Sequence, residues 1–285
     1  MPTPADALRR LLDEDRLLVM PCCFDALSAR MVERAGFALT FMSGFAVSAT
    51  RIGQPDTGLL SYGEMADQGR DICSAVKIPV IGDGDTGYGN AVNVKRTVRG
   101  YAQAGFAAVM IEDQVAPKRC GHTRGKAVVD RDEALGRIRA AVDARDEGAD
   151  ILILARTDAR HEHGLEEAIA RARAFHQAGA DILFVEAPRT EAELQTVARD
   201  VPGRKMVNLV EGGETPMLPH DRLQDIGFRI AAYPLTLMSV AMKAMQAALA
   251  AMASGGHPED ALLDFAELRE IVGFDAYYTE EDRYR

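Results

Sequence analysis

Lysines and arginines form no basic stripe anywhere in this sequence, and the net charge is −10. A nucleic-acid backbone would meet general repulsion, which excludes nucleic acid as a partner. Cysteine is scarce: Cys22, Cys23, Cys73 and Cys120 are too few and too scattered for a disulfide framework or a paired zinc motif, so a reducing cytoplasm is the expected location. Met1 to Arg10 lack a basic stretch followed by an apolar core and a small-residue cleavage site, and Pro2, Pro4 and Asp6 suit a helix start better than an export signal. No apolar run reaches the ~18 residues needed to cross a bilayer, so no membrane partner is expected. Glycine is missing from Cys22 to Ser28, the turn where a doubly wound nucleotide-binding sheet would carry its phosphate loop. The 47% of apolar and 27% of charged residues exclude a disordered or collagen-like chain, and 285 residues lie within the range that an α/β barrel spans as one domain.

What the sequence does have is a repeat. Four times a glycine stands seven residues ahead of a polar or turn residue with an apolar run between: Gly36 to Ser43, Gly105 to Glu112, Gly179 to Glu186 and Gly227 to Pro234. Each glycine reads as a helix C-cap, where the missing Cβ permits a left-handed backbone, and each apolar run as a buried strand. Strands are predicted over Leu17 to Cys22, Leu39 to Ser43, Ile78 to Asp83, Ala107 to Glu112, Ile151 to Arg156, Ile182 to Glu186, Lys205 to Leu209 and Arg229 to Tyr233. Helical periodicity fills the gaps, for example in Asn93 to Ala104 and Leu165 to Ala178. Eight such units predict an α/β fold, a (β/α)8 TIM barrel of one domain over 1–285, with its chemistry at the carboxyl ends of the strands. Helical patterning continues from Thr236 to Ala253, breaks at Ser254 to Pro258 and resumes from Glu259 to Val272, so 236–285 supplies the last barrel helix and a C-terminal extension. Met238, Met242, Met245 and Met252 read there as core or interface filler.

The strand ends collect charge. In Gly82-Asp-Gly-Asp-Thr-Gly-Tyr-Gly89, Asp83 and Asp85 sit two residues apart among glycines, so an extended chain points both carboxylates one way. They repel unless a cation lies between them, and hard oxygen ligands suit Mg²⁺. Glu112 and Asp56 complete an outer shell through water. The competing reading is that the two aspartates cap the next helix or shape the turn. Lys118-Arg-Cys-Gly-His122 sets a thiol, Cys120, among potential cations, which favours thiolate or ready proton donation; an inert cysteine in a basic loop is the plain alternative. Arg156 suits a carboxylate clamp or a structural salt bridge to Glu186 or Asp158. Asn208 and Glu211 follow the seventh strand, and Pro234 ends the eighth.

Ser43-Gly44, the GDGDTGYGN segment, Ile111-Glu-Asp-Gln114 and the KRCGH loop, in this order, resemble the isocitrate lyase and phosphoenolpyruvate mutase superfamily over about Cys22 to Tyr278. The resemblance implies a (β/α)8 barrel, a homotetramer with a C-terminal helix swapped between subunits, and a Mg²⁺ site, with Mn²⁺ as a substitute, for dicarboxylic or oxo-acid substrates. It makes Asp85 the direct metal ligand, with Asp56, Asp83 and Glu112 acting largely through water. Ser43, Gly44 and Phe45 would seat the α-keto acid part and Arg156 would hold a substrate carboxylate, with Gly121, Asn208, Glu211 and Pro234 also lining the substrate. Cys120 would protonate the carbanion of a retro-Claisen cleavage, with Lys118, His122 and Glu186 tuning charge around it. The mutases resemble the chain but carry asparagine in place of Cys120. Asn208 to Pro216, Phe184 to Pro188 and Arg156 to Arg160 resemble the 2,3-dimethylmalate lyase and petal death protein branch, whereas oxaloacetate hydrolases carry serine in place of Pro234. The expected activity is therefore cleavage of a 2-alkylmalate, with 2-methylisocitrate lyase, oxaloacetate hydrolase and an inactive binding barrel as alternatives.

Overall fold

A computed structural model describes residues 2–120 and 125–285. Its eight strands are β1 (Leu18–Cys23), β2 (Thr40–Met42), β3 (Val80–Asp83), β4 (Ala108–Glu112), β5 (Leu152–Thr157), β6 (Ile182–Val185), β7 (Arg204–Asn208) and β8 (Ile230–Tyr233). Each pairs in parallel with the next, and β8 pairs with β1 through registers such as Leu18 with Ile230, so the sheet closes into a barrel. Helices connect successive strands, as expected of a (β/α)8 barrel, and every predicted strand lies within two residues of an observed one. The repeated glycines end helices or follow their last residues: Gly105 and Gly227 are left-handed C-caps with φ of 99° and 108°, a conformation that costs a residue with a Cβ about 1–2 kcal/mol.

Strand alternation then sorts the side chains. Inside the barrel lie Leu18, Met20 and Cys22 of β1, Ala108 and Met110 of β4, Leu152 and Leu154 of β5, Ile182 and Phe184 of β6, and Ile230 and Ala232 of β8. The intervening residues, such as Val109, Ile111, Ile153, Ala155, Leu183 and Val185, face the helices in a second apolar layer. Because successive side chains point to opposite faces, two further steps along the inward row bring Glu112, Arg156, Glu186, Asn208 and Pro234 to the carboxyl rim. At the other end the helix Pro4–Asp13, started by Thr3 as N-cap, packs Ala5, Leu8 and Leu12 with the barrel-interior residues. In the outer layer Phe106 stacks on Tyr101 at 4.8 Å and leaves no room for a Cβ at Gly69 or Gly82, where added atoms would stand 2.2 and 2.8 Å from its ring.

Three features differ from the sequence reading. The helix Arg160–Gln177 begins earlier than predicted and is broken at Gly164, whose φ of 84° and ψ of 174° are not helical. The tail does not resume as one helix: a short 3₁₀ turn, Glu259–Ala261, precedes the helix Phe265–Val272, which starts where Asp264 accepts the Glu267 N–H, and Gly273 (φ 99°) separates a further helix, Phe274–Asp282, that the apolar pattern did not signal. Helix Thr236–Ala253 has 18 residues with a mean hydropathy of 1.3, so by length and composition it is apolar enough to cross a membrane. The unbroken-run criterion missed it because Ser239, Lys243 and Gln246 interrupt the run without reversing its average. By its internal contacts the chain divides into two compact units, one up to Thr236 and one from Leu237 to Arg285.

Replacing Phe106, 1% exposed, with alanine should lower unfolding free energy by about 3–5 kcal/mol, whereas Val92→Ala on the exposed face of a neighbouring helix should stay within about 0.5 kcal/mol. Urea titration of both variants checks this; a Phe106→Ala loss below 1 kcal/mol would show that the outer layer closes around the gap.

Candidate active site

The inward rows end in a cavity at the carboxyl rim with about 650 Å³ of empty space, its solvent-open mouth included. Its floor is apolar, formed by Cys22, Phe41, Met110, Phe184, Met206 and Ala232, and its wall is charged or polar: Ser43, Asp56, Asp83, Glu112, Lys118, Cys120, Arg156, Glu186 and Asn208, with Phe45 and Pro234 at the side. Cys120 and the acidic residues therefore border the same space.

Local backbone fixes the acidic group. Ser43 caps the helix Gly44–Ile52 through its hydroxyl, which places the Gly44 N–H 3.2 Å from Asp83 Oδ2. A Cβ at position 44 would stand 2.3 Å from that oxygen, so only glycine allows the approach. Asp83 Oδ1 accepts the Asp85 N–H at 3.0 Å, and Asp85 adopts a left-handed backbone with φ of 49°, an uncommon state for a residue with a Cβ and a strained one that surrounding contacts must hold. The helix after this turn is capped by Asn90, so neither aspartate serves as its cap, although the hydrogen bond of Asp83 does shape the turn.

Charge balance in this buried space is specific. Lys118 Nζ hydrogen-bonds Asp56 at 2.7 Å and lies 2.8 Å from Asp85 Oδ1, an oxygen without a well-aligned hydrogen bond among the described residues. Burial drives the Asp85 carboxyl up to about 7, with Asp83 and Asp56 adding to the rise and Lys118 opposing it. Burial disfavours the Lys118 ammonium, yet Asp85, Asp83, Asp56 and Glu112 outweigh it and hold the proton firmly. Arg156 donates Nε and Nη2 to Asp158 at 2.7 and 3.0 Å, and lies 3.1 Å from Glu186 and 3.3 Å from Glu112. Both readings of Arg156 thus meet in one geometry: it is structurally paired and it faces the cavity, with Nη1 without a hydrogen bond to the described residues. Glu112 is pushed well above the ordinary carboxyl range, chiefly by burial. Glu186 accepts the Ala187 N–H at 3.0 Å and the Asn208 amide at 3.4 Å, and Ala187 is itself left-handed at φ 57°.

Two buried oxygens, Asp85 Oδ1 and Glu112 Oε1, have no hydrogen-bond partner among the described residues. Orphaned carboxylate oxygens beside an aspartate pair fit a hard divalent cation. Among the described residues no three of His, Cys, Asp and Glu stand close enough to hold a metal by themselves, which agrees with an ion held by one or two carboxylates and completed by water or substrate.

The loop that carries Lys118 and Cys120 leaves β4 and returns through a narrow neck, where Val115 N–H meets Ala127 O at 2.8 Å and Val129 N–H meets Asp113 O at 2.9 Å. Gln114 braces it by bonding the Arg119 backbone on both sides. Gly121 and His122, expected in the site, lie outside the described residues.

The phosphoenolpyruvate phosphomutase family matches residues 8–253. The chain belongs to the phosphoenolpyruvate mutase and isocitrate lyase superfamily. It is 41% identical over 283 residues to a 2,3-dimethylmalate lyase of Eubacterium barkeri, covering 98% of each chain, 42% identical to a chloroplastic carboxyvinyl-carboxyphosphonate phosphorylmutase of Arabidopsis thaliana, covering 96% and 83%, and 38% identical to a 2-methylisocitrate lyase of Aeropyrum pernix, covering 96% and 89%. Oxaloacetate acetylhydrolase bound to 3,3-difluorooxalacetate superposes with a TM-score of 0.94 at 35% identity, covering 99% and 97% of the two chains. Phosphonopyruvate hydrolase bound to oxalate and Mg²⁺ superposes at 0.88 and 32%, covering 99% of both. The chain is thus an enzyme, a lyase of this superfamily.

Not every residue expected in the site of this lyase reaches the cavity. Glu211 is exposed, does not line the cavity, and accepts the Thr236 hydroxyl with its carboxylate. Gly44 turns its N–H to Asp83 rather than into the open space. Asp85 does not line the cavity, whereas Lys118, 2.8 Å from it, does. Motif reading gave no role to the apolar floor or to Asp113, a buried brace that accepts Thr157 Oγ1 at 2.6 Å, the Asp158 N–H at 2.9 Å and Arg171 at 3.0 Å. The period of two along each strand was the available signal for the floor; the brace joins β4, β5 and a distant helix and leaves no local pattern.

Gly44→Ala should lower turnover ~100-fold, since small misplacements of a reacting group cost that much, without altering the circular dichroism spectrum. Turnover within twofold of the parent enzyme would show that Asp83 tolerates displacement.

Proposed function

We propose that this lyase is a Mg²⁺-dependent enzyme that breaks a carbon–carbon bond in a 2-alkylmalate, with 2,3-dimethylmalate as the best candidate, releasing pyruvate and a short carboxylic acid. The observation that carries this reading is one cavity bordered by Cys120, by the acidic group of Asp56, Asp83 and Glu112, and by Arg156 over an apolar floor. Asp85 would hold the metal directly, with Asp56, Asp83 and Glu112 behind water. Mg²⁺, when bound, supplies positive charge beside the keto-acid oxygen.

The residues of the chain do the rest. Ser43 and Phe45 seat the pyruvate half, and Arg156, fixed by Asp158 and Glu186, keeps Nη1 for a substrate carboxylate. The 2-hydroxyl gives up its proton to water at the cavity's open mouth and becomes the carbonyl of pyruvate; the bond between carbons 2 and 3 breaks, and its electrons pass to carbon 3, where the adjacent carboxylate delocalises them. Cys120 supplies the proton that converts this carbanion to the short acid. Met110, Phe184, Met206 and Ala232 offer apolar surface to alkyl groups, which favours a methylated substrate over one with a third carboxylate. Pro234 lines the cavity without a hydroxyl, which argues against orienting a hydrated ketone for oxaloacetate hydrolysis. The similarity to a 2-methylisocitrate lyase keeps that substrate as the second reading.

Purified enzyme with Mg²⁺ should release pyruvate from 2,3-dimethylmalate with a higher kcat/KM than from 2-methylisocitrate, oxaloacetate, isocitrate or phosphonopyruvate. Preference for 2-methylisocitrate moves the assignment to the second reading, and silence across the panel supports a binding barrel. Cys120→Ser should lower kcat by roughly 10²–10⁴ with little change in KM; an unchanged kcat removes the thiol from the chemistry. The exposed Met242, Met245, Leu249 and Met252 of the C-terminal unit support a homotetramer, which light scattering tests: a particle of one chain mass would refute it.

A further inference from the structure

Lys118 does something the proton-transfer chemistry does not ask of it. Its ammonium lies 2.7 Å from Asp56 and 2.8 Å from Asp85 Oδ1, and the lysine is 5% exposed and Asp85 7%. A buried ammonium persists only where carboxylates compensate it, and here the compensating pair comes from two separate segments, the loop around Asp56 and the turn after β3. Of the described basic side chains, Lys118 is the one that lies in ion-pair contact with Asp85. The fit is nonetheless incomplete: Lys118 lies 2.8 Å from Asp85 Oδ1, yet that oxygen has no well-aligned hydrogen bond among the described residues. An ammonium offers three directed N–H groups, whereas a metal ion offers a spherical charge, so that oxygen is placed for the second more than for the first.

We propose that Lys118 is an internal counter-cation: without metal its ammonium neutralises Asp85, and a divalent ion binds there by exchange with it. The inference rests on the metal reading given above. A divalent ion bound to Asp85 would face the ammonium at close range, so Lys118 must give up Asp85 as the ion arrives, and the free energy of its ion pairs is subtracted from that of metal binding. Lys118 therefore sets the affinity of the metal site. It also stands two residues from Cys120 on the loop braced by Gln114, so loading the metal site and rearranging the thiol-bearing loop become one event.

The test uses the full chain and Mn²⁺ alone, with binding followed by electron paramagnetic resonance in the parent enzyme and in Lys118→Met, Lys118→Arg and Asp85→Asn. The parent should bind one ion per chain, Asp85→Asn should bind none, and Lys118→Met should bind ~10-fold more tightly, in the usual range for mutually exclusive ligands. Lys118→Arg, which keeps the charge, should stay within about threefold of the parent. Equal or weaker binding by Lys118→Met overturns the exchange while leaving the metal site intact; no Mn²⁺ binding by the parent overturns the metal reading and the exchange with it. A second measurement avoids substitution: acetylation of the parent enzyme, mapped by mass spectrometry, should label Lys118 several-fold faster after Mn²⁺ or Mg²⁺ is added. Unchanged labelling at saturating metal shows that the ammonium never leaves, and sinks the proposal even if the methionine variant fails to fold.

Discussion

Asp83, Asp85, Glu112, Asp158 and Glu186 are all under 9% exposed, and they share one barrel mouth. So many carboxylates do not stay ionised out of water unless cations are built in among them. Lys118, on a loop, and Arg156, on a strand, are two of those cations, and Lys126, 3.6 Å from Asp158, is a third. The difference in their supports matters. Arg156 is part of the barrel wall and holds its partners rigidly through a two-pronged bond to Asp158. Lys118 arrives on a loop tied down at its neck. The charge balance thus rests partly on the barrel wall and partly on a loop.

The barrel makes this crowding possible by sorting side chains before any chemistry is involved. A strand that alternates its residues between an apolar lumen and an apolar helix layer has one place where a polar inward residue is tolerated, the last turn of the inward row, where water and ligand are in reach. Glu112, Arg156 and Glu186 occupy that position on three consecutive strands. Function and fold therefore compete for the same rows, and the rim is where the competition is settled in favour of charge.

Much of this was legible in the sequence. The strands were readable because each is a buried run between a glycine cap and a charged end, and parallel strands covered on both faces need nothing but apolar residues. That Asp83, Glu112, Arg156 and Cys120 border one cavity was readable because charge gathers at strand ends and the thiol follows in the loop after β4. Glu211 was misplaced because its carboxylate is taken by Thr236, 25 residues further on, a pairing that spacing does not encode. Asp113 and Arg171 escaped notice because their bond links residues 58 apart in sequence. The tail misled in another way: a capping aspartate at 264 splits the segment from Glu259 to Val272 into a 3₁₀ turn and a helix, and the helix after Gly273 carries no apolar periodicity to announce it.

The helix Pro4–Asp13 supplies a last consequence. Its Ala5, Leu8 and Leu12 are buried with the lumen residues at the amino end of the strands, so apolar side chains plug that end, and the cavity bordered by Cys120 lies at the opposite rim. A segment remote from the charged residues thereby helps to decide which end of the barrel meets small molecules.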